Sequence, residues 1–197
     1  MGELRVFPLL LSFWSLGFLF VITGEKRQLP LPPYLDPGSW NAAVVCAGSS
    51  NGACDHVDCR REPFLIVLCK KYVYVYSSEN GSWSEPILAQ HPPDFGVQCN
   101  ALVRGALYFH VQANRSIIKF DLATREISSI ELPPSVFFRR IALITTEDDG
   151  LGFAIVVTSK LHLWSREAGS DGCERWAQSR VIDLQTMLPV DVGSNST

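Results

Sequence analysis

Tyr76, Phe120 and Trp164 stand at equal intervals of 44 residues, and each follows the same sequence pattern. Two runs of β-branched, aromatic and aliphatic residues flank a short polar break: FLIVLC-KK-YVYVYS at 64–77, ALYFHV-QANR-SIIKFDL at 106–122 and GFAIVV-TS-KLHLWSR at 152–166. Runs of this length and composition are strand formers, and the breaks are hairpin turns. After each aromatic comes a polar turn (SSENGS, DLATRE, SREAGSDG) and a further strand-like stretch (WSEPILA, ISSIELPP, WAQSRVIDL). The unit is strand, turn, strand, polar turn, strand. YVYVYS contains β formers almost throughout, as a strand covered on both faces requires.

A second repetition reinforces the first. TGEKRQLPLPP at 23–33 and TREISSIELPP at 124–134 share one frame at an offset of 101 residues, which is two units. Residues 34–62 read as an insertion-like loop that lengthens the first interval. Several strands in a repeat of roughly 40–50 residues, with no helical period, mark a β-propeller blade. A single blade cannot cover both its faces, so neighbours supply the core. The expected fold is all-β: a partial β-propeller of about three to four antiparallel blades with an apolar N-terminal segment. An open arc leaves unpaired strand edges, so the chain is expected to be a fragment or to pair with something. The expected division is 1–22 as the apolar segment, 23–190 as the propeller-like domain and 191–197 as a disordered tail.

Composition sets further bounds. The chain of 197 residues is 47% hydrophobic and 19% charged, enough to build a core. A net charge of −3 gives no reason to expect nucleic acid. No charged residue occurs between Arg5 and Glu25. That run suits a signal peptide, a membrane anchor or a buried strand pair, and the sequence leaves all three open. A membrane partner is expected only if the run is an anchor. The six cysteines are irregularly spaced and read as reduced thiols, with Cys69 buried at the end of an apolar run.

No motif assembles a catalytic or metal centre. GSSNG at 48–52 fits G-x-S-x-G, but ACDHVDC is not the helix a nucleophile elbow needs. Cys54, His56 and Cys59 lack a second paired zinc motif. TEDDG at 146–150 reads as a solvated turn. RQLPLPP at 27–33 fits a polyproline ligand, yet its twin at 124–134 lacks the arginine and first proline, which favours a structural role. His110 and His162 alternate onto strand faces with Tyr108 and Trp164 and read as packed or rim residues. The expectation is no enzyme, no cofactor and no metal.

The pieces TGEKRQLPLPPYLDPGSWNAAVVCA, CDHVDC, PFLIV, YVYVYSSENGSWSEP, ALVRGALYFHVQANRSIIKFDLATREISSIELPP and LHLWSRE together resemble the carboxyl-terminal F-box-associated, kelch-like β-propeller region of plant F-box proteins. The resemblance covers about residues 20–190. It implies a non-catalytic module for protein–protein interaction, the part that recognises a target for a cullin–RING ubiquitin ligase. In that family an amino-terminal F-box docks on a Skp-type adaptor. No F-box is readable before residue 20, so a truncated member is expected, without direct adaptor binding, in cytoplasm or nucleus. The alternative is a secreted or lumenal β-repeat protein that binds sugars or proteins, consistent with the amino-terminal run and the sequons at Asn80, Asn114 and Asn195. The target is an unknown protein. The candidate partner-binding residues are Trp83, Phe95, Arg115 and Trp164, chosen for turn position and for the enrichment of aromatics and arginine at interfaces.

Overall fold

The computed structural model describes residues 10–11, 15–19, 26–32, 41–50, 63–69, 71–88, 100–111, 115–136 and 139–186. They form four antiparallel sheets, each a meander. The first holds β1 (Leu10–Leu11), β2 (Ser15–Leu19) and β3 (Lys26–Pro30). The second holds β4 (Asn41–Cys46), β5 (Phe64–Cys69), β6 (Tyr72–Ser77) and β7 (Ser82–Trp83), with β8 (Ile87–Leu88) also pairing with β6. The third holds β9 (Asn100–Val103), β10 (Ala106–Val111), β11 (Ser116–Asp121) and β12 (Ile127–Glu131). The fourth holds β13 (Ala142–Thr145), β14 (Leu151–Val157), β15 (Lys160–Ala168) and β16 (Glu174–Asp183). The four sheets are the blades expected from the repeat.

Alternation along each strand sends side chains to opposite faces, and both faces of the second and third sheets meet a neighbouring sheet. Leu65, Val67, Cys69, Val73 and Val75 pack with Leu107, Phe109, Ile118 and Phe120 of the third sheet. The intervening Ile66, Leu68, Tyr74 and Tyr76 pack on the other side, with Leu29 and Leu31. The third sheet repeats this. Its opposite face, with Ala101, Val103, Ala106, Tyr108 and Ile117, packs with Leu143, Leu151, Phe153 and Ile155 of the fourth. Burial on both faces explains why FLIVLC and YVYVYS carry no polar alternation.

Tyr76, Phe120 and Trp164 occupy equivalent places. Each is the fifth residue of the third strand of its sheet and pairs with the second strand, opposite Ile66, Leu107 and Phe153 respectively. Each also faces the preceding sheet. The 101-residue echo has the same meaning. It superposes β3 on β12, the last strands of the first and third sheets, residue for residue.

Two expectations change. Residues 34–62 are not solely an insertion, because 41–46 form β4, whose Ala43 and Val45 are buried. The unit also has four strands rather than three, since β9 and β13 precede the second and third hairpins as β4 precedes the first. The structural role favoured for RQLPLPP is what is seen: residues 27–30 lie in β3, paired with β2. The 191–197 segment, CDHVDC and Phe95 lie outside the described residues.

The turns follow elementary backbone rules. Arg104–Gly105 and Thr158–Ser159 are two-residue hairpin loops with all four residues at positive φ (47°, 75°, 48° and 60°). That geometry matches the twist of the flanking strands. In the β11–β12 turn the Asp121 carboxylate accepts the backbone N–H groups of Ala123 and Thr124, both at 3.0 Å. The Thr124 bond leads the interactions that hold this carboxyl below its ordinary range. Gly152 lies where a Cβ would meet the Trp164 carbonyl oxygen at 2.7 Å, so the close pairing of β14 with β15 excludes a side chain there.

Candidate interaction surface

The junctions between sheets account for most of the tryptophan chemistry. The Trp83 indole N–H donates to the Pro30 carbonyl at 2.8 Å, and the Trp176 indole N–H donates to the Glu131 carbonyl at 2.8 Å. Pro30 and Glu131 are equivalent in the 101-residue frame. One junction is thus written twice: a tryptophan on the last strand of one sheet caps the carbonyl at the end of the last strand of the sheet before. Trp83 also packs on Tyr76, with ring centroids 5.4 Å apart. Trp176 meets Phe153 edge-on at 4.9 Å, and Phe153 stacks on Trp164 at 5.6 Å and 11°. A register shift at Leu163/Trp164 in the β15–β16 pairing accompanies this cluster.

The candidate binding residues therefore do not converge. Trp83 and Trp164 are half-buried packing residues at sheet junctions, and Trp164 lies within β15 rather than in a turn. Arg115 sits exposed at the entrance to β11 with φ 56°, and its carbonyl accepts the Leu132 N–H at 3.0 Å. Phe95 is outside the described residues.

Register separates the turns into two sets. In the second, third and fourth sheets the second and third strands are joined at one end of the stack, and the other strand-to-strand turns within each sheet lie at the other. The third and fourth sheets are aligned by two bonds at that other end: Arg104 Nη2 to the Asp148 carbonyl at 3.2 Å, and Thr145 Oγ1 to the Leu102 carbonyl at 3.4 Å. The first end carries exposed Lys71, Arg115 and Lys160 on its hairpins, with Arg139 and Arg140 on the entrance to β13. The second end carries exposed Glu79, Glu126, Glu147, Asp148, Asp149 and Asp171, with exposed Arg104 and Arg175 among them. TEDDG is a turn at that end, closed by Thr146 N–H to Gly150 carbonyl at 2.9 Å. The sequence alone does not show this segregation of charge. Its signal is the KK break and the RR pair, which gain meaning only once register places them together.

Buried ionisable groups are held neutral. Burial pushes the Cys69 thiol up to about 12 and lowers His110, which is 3% exposed, to about 4. Among the described residues, no group of three His, Cys, Asp or Glu is placed to hold a metal ion. No helix among them is long and apolar enough to cross a membrane.

Among solved structures, the chain is similar to a dihydro-heme d1 dehydrogenase, NirN, in complex with DHE, at 11% identity and a TM-score of 0.47. That likeness covers 94% of this chain and 40% of the NirN chain. No curated protein matches the sequence at a significant level. The family model described as F-box protein AT5G49610-like, beta-propeller matches residues 57–196. With four stacked antiparallel sheets, a repeated junction and this match over most of its length, the chain belongs to the AT5G49610-like F-box protein beta-propeller family.

Proposed function

We propose that the chain is a non-catalytic protein-interaction module, the target-recognition part of an F-box-type ubiquitin ligase subunit working in the cytoplasm or nucleus. The observation that carries this reading is the family match laid over a scaffold whose second and third sheets are buried on both faces. Such a scaffold leaves its turns as the variable, exposed surface, and a protein target is recognised there. The described histidines and carboxylates are dispersed over the strands and turns, which supports binding rather than turnover.

The test is a fusion. Joined to an F-box, the chain is expected to bring a captured protein to a Skp-type adaptor and to shorten that protein's lifetime in a proteasome-dependent manner. These 197 residues alone are expected to capture the protein without the adaptor. A fusion that assembles with the adaptor but changes the lifetime of no captured protein contradicts the proposal.

A further inference from the structure

We propose that the end of the stack bearing Lys71, Arg115, Arg139, Arg140 and Lys160 is the docking face, and that its partner is an acidic protein segment interspersed with aliphatic residues. The inference rests on the interaction-module reading and adds the face and the chemistry of the ligand. Two observations carry it.

The five cations come from four separate places in the chain and are gathered only by the fold. Lys71 lies between β5 and β6, Arg115 between β10 and β11, and Lys160 directly follows the β14–β15 turn. Arg139 and Arg140 lead into β13, which begins at the same end. All five are exposed. Among the described residues, Glu131 and Asp183 are the acidic ones that register puts at this end; both terminate outermost strands, and Asp183 lies across from Lys160. Among the described residues, acidic side chains outnumber the arginines at the opposite end, which include Arg104, Arg125 and Arg175. The molecule, of net charge −3, is therefore polar along the direction of its strands, and its field at one end attracts a negative partner.

Large exposed hydrophobic side chains flank the same end. Leu88 (57% exposed) pairs with Tyr72, Val156 (57%) with Leu161, and Val181 (44%) with His162, each within two residues of the turns or strand ends there. Aliphatic groups beside cations complement a peptide carrying both carboxylates and apolar side chains. They offer no stacking platform for bases, and the overall negative charge opposes a long polyanion, so a peptide is favoured over nucleic acid.

The experiment uses the full chain and fluorescence anisotropy with a labelled extended peptide of alternating glutamate and leucine. Controls are the same peptide with lysine for glutamate, a single-stranded oligonucleotide, and vesicles containing anionic lipid. The expected result is saturable binding of the acidic peptide alone. Affinity should fall about tenfold or more between 0.05 and 0.5 M salt, as screening shortens the reach of the field. The combined variant K71E, R139E, R140E and K160E is expected to lose binding at least about tenfold, while E79K with E147K at the opposite end leaves it unchanged. Circular dichroism melts establish that both variants remain folded. If the combined variant is unfolded, single reversals at Lys71 and Lys160 replace it, each expected to weaken binding severalfold. No binding of the acidic peptide, equal loss from the opposite-end variant, or equal affinity for the oligonucleotide or vesicles overturns the proposal. Capture of a protein partner that survives the four reversals overturns this inference alone. Failure of the wild-type chain to capture any protein instead overturns the interaction-module reading.

Discussion

Phe153 is where the packing between the third and fourth sheets can be weighed most directly. Its side chain is fully buried, stacks on Trp164 and receives Trp176 edge-on. Truncation to alanine removes an aromatic side chain from a core that cannot fully collapse, at a cost of about 3–5 kcal/mol. Leucine keeps much of the volume but forfeits two aromatic contacts at about 0.5–1.5 kcal/mol each, so F153L should cost roughly 1–3 kcal/mol. For a chain of this size each kcal/mol shifts Tm by about 2–4 °C. F153A is therefore expected to melt roughly 6–20 °C below the wild type, with F153L between them. The assay is thermal unfolding followed by tryptophan fluorescence and by far-UV circular dichroism. A change below about 1 kcal/mol for F153A refutes the reasoning, because a side chain that can be deleted so cheaply does not hold two sheets together.

Three further outcomes follow from the same geometry. W83F and W176F each remove one indole N–H bond to a strand-end carbonyl, at about 1–2 kcal/mol, and the double variant should be additive by denaturant titration because the junctions are separate. Replacing Thr158–Ser159 with Asn–Gly relieves two left-handed residues and should stabilise by about 1–2 kcal/mol, read as a higher Tm. His110 is lowered from 6.5 to about 4 by burial. The unfolded chain thus binds more protons between these values, so its contribution to stability is complete above about pH 6.5 and declines as pH falls toward 4. H110Q should flatten that part of a stability–pH curve, and an unchanged slope contradicts the assignment.

How far the sequence revealed this structure depended on burial. The strands β5, β6, β10 and β11 were legible because both faces are covered and their sequences are apolar almost throughout. The first strands were not. NALV and ALIT are four residues long, and β4 lies within a stretch rich in glycine and cysteine, where a short alternating segment is hard to separate from loop. The aromatic positions at 76, 120 and 164 were read correctly as structural equivalents, and Trp164 was then also offered as a contact residue. Packing decides between these roles: the ring lies on Phe153. Trp83 shows the same lesson, since enrichment of tryptophan at interfaces holds equally for interfaces between sheets of one chain. The basic end was illegible because its cations are dispersed along the chain, and only strand register brings their turns to one side.

The claim underlying this account is that the first and second sheets and the third and fourth meet at equivalent points, with a tryptophan on the later sheet closing the last strand of the one before. Nuclear Overhauser spectroscopy tests it directly on the indole N–H protons of Trp83 and Trp176. The account predicts cross-peaks from Trp83 to Leu31 and from Trp176 to Leu132, the residues that follow the two acceptor carbonyls, with both protons slow to exchange. Rapid exchange of either proton, with no contact to those residues, would contradict it.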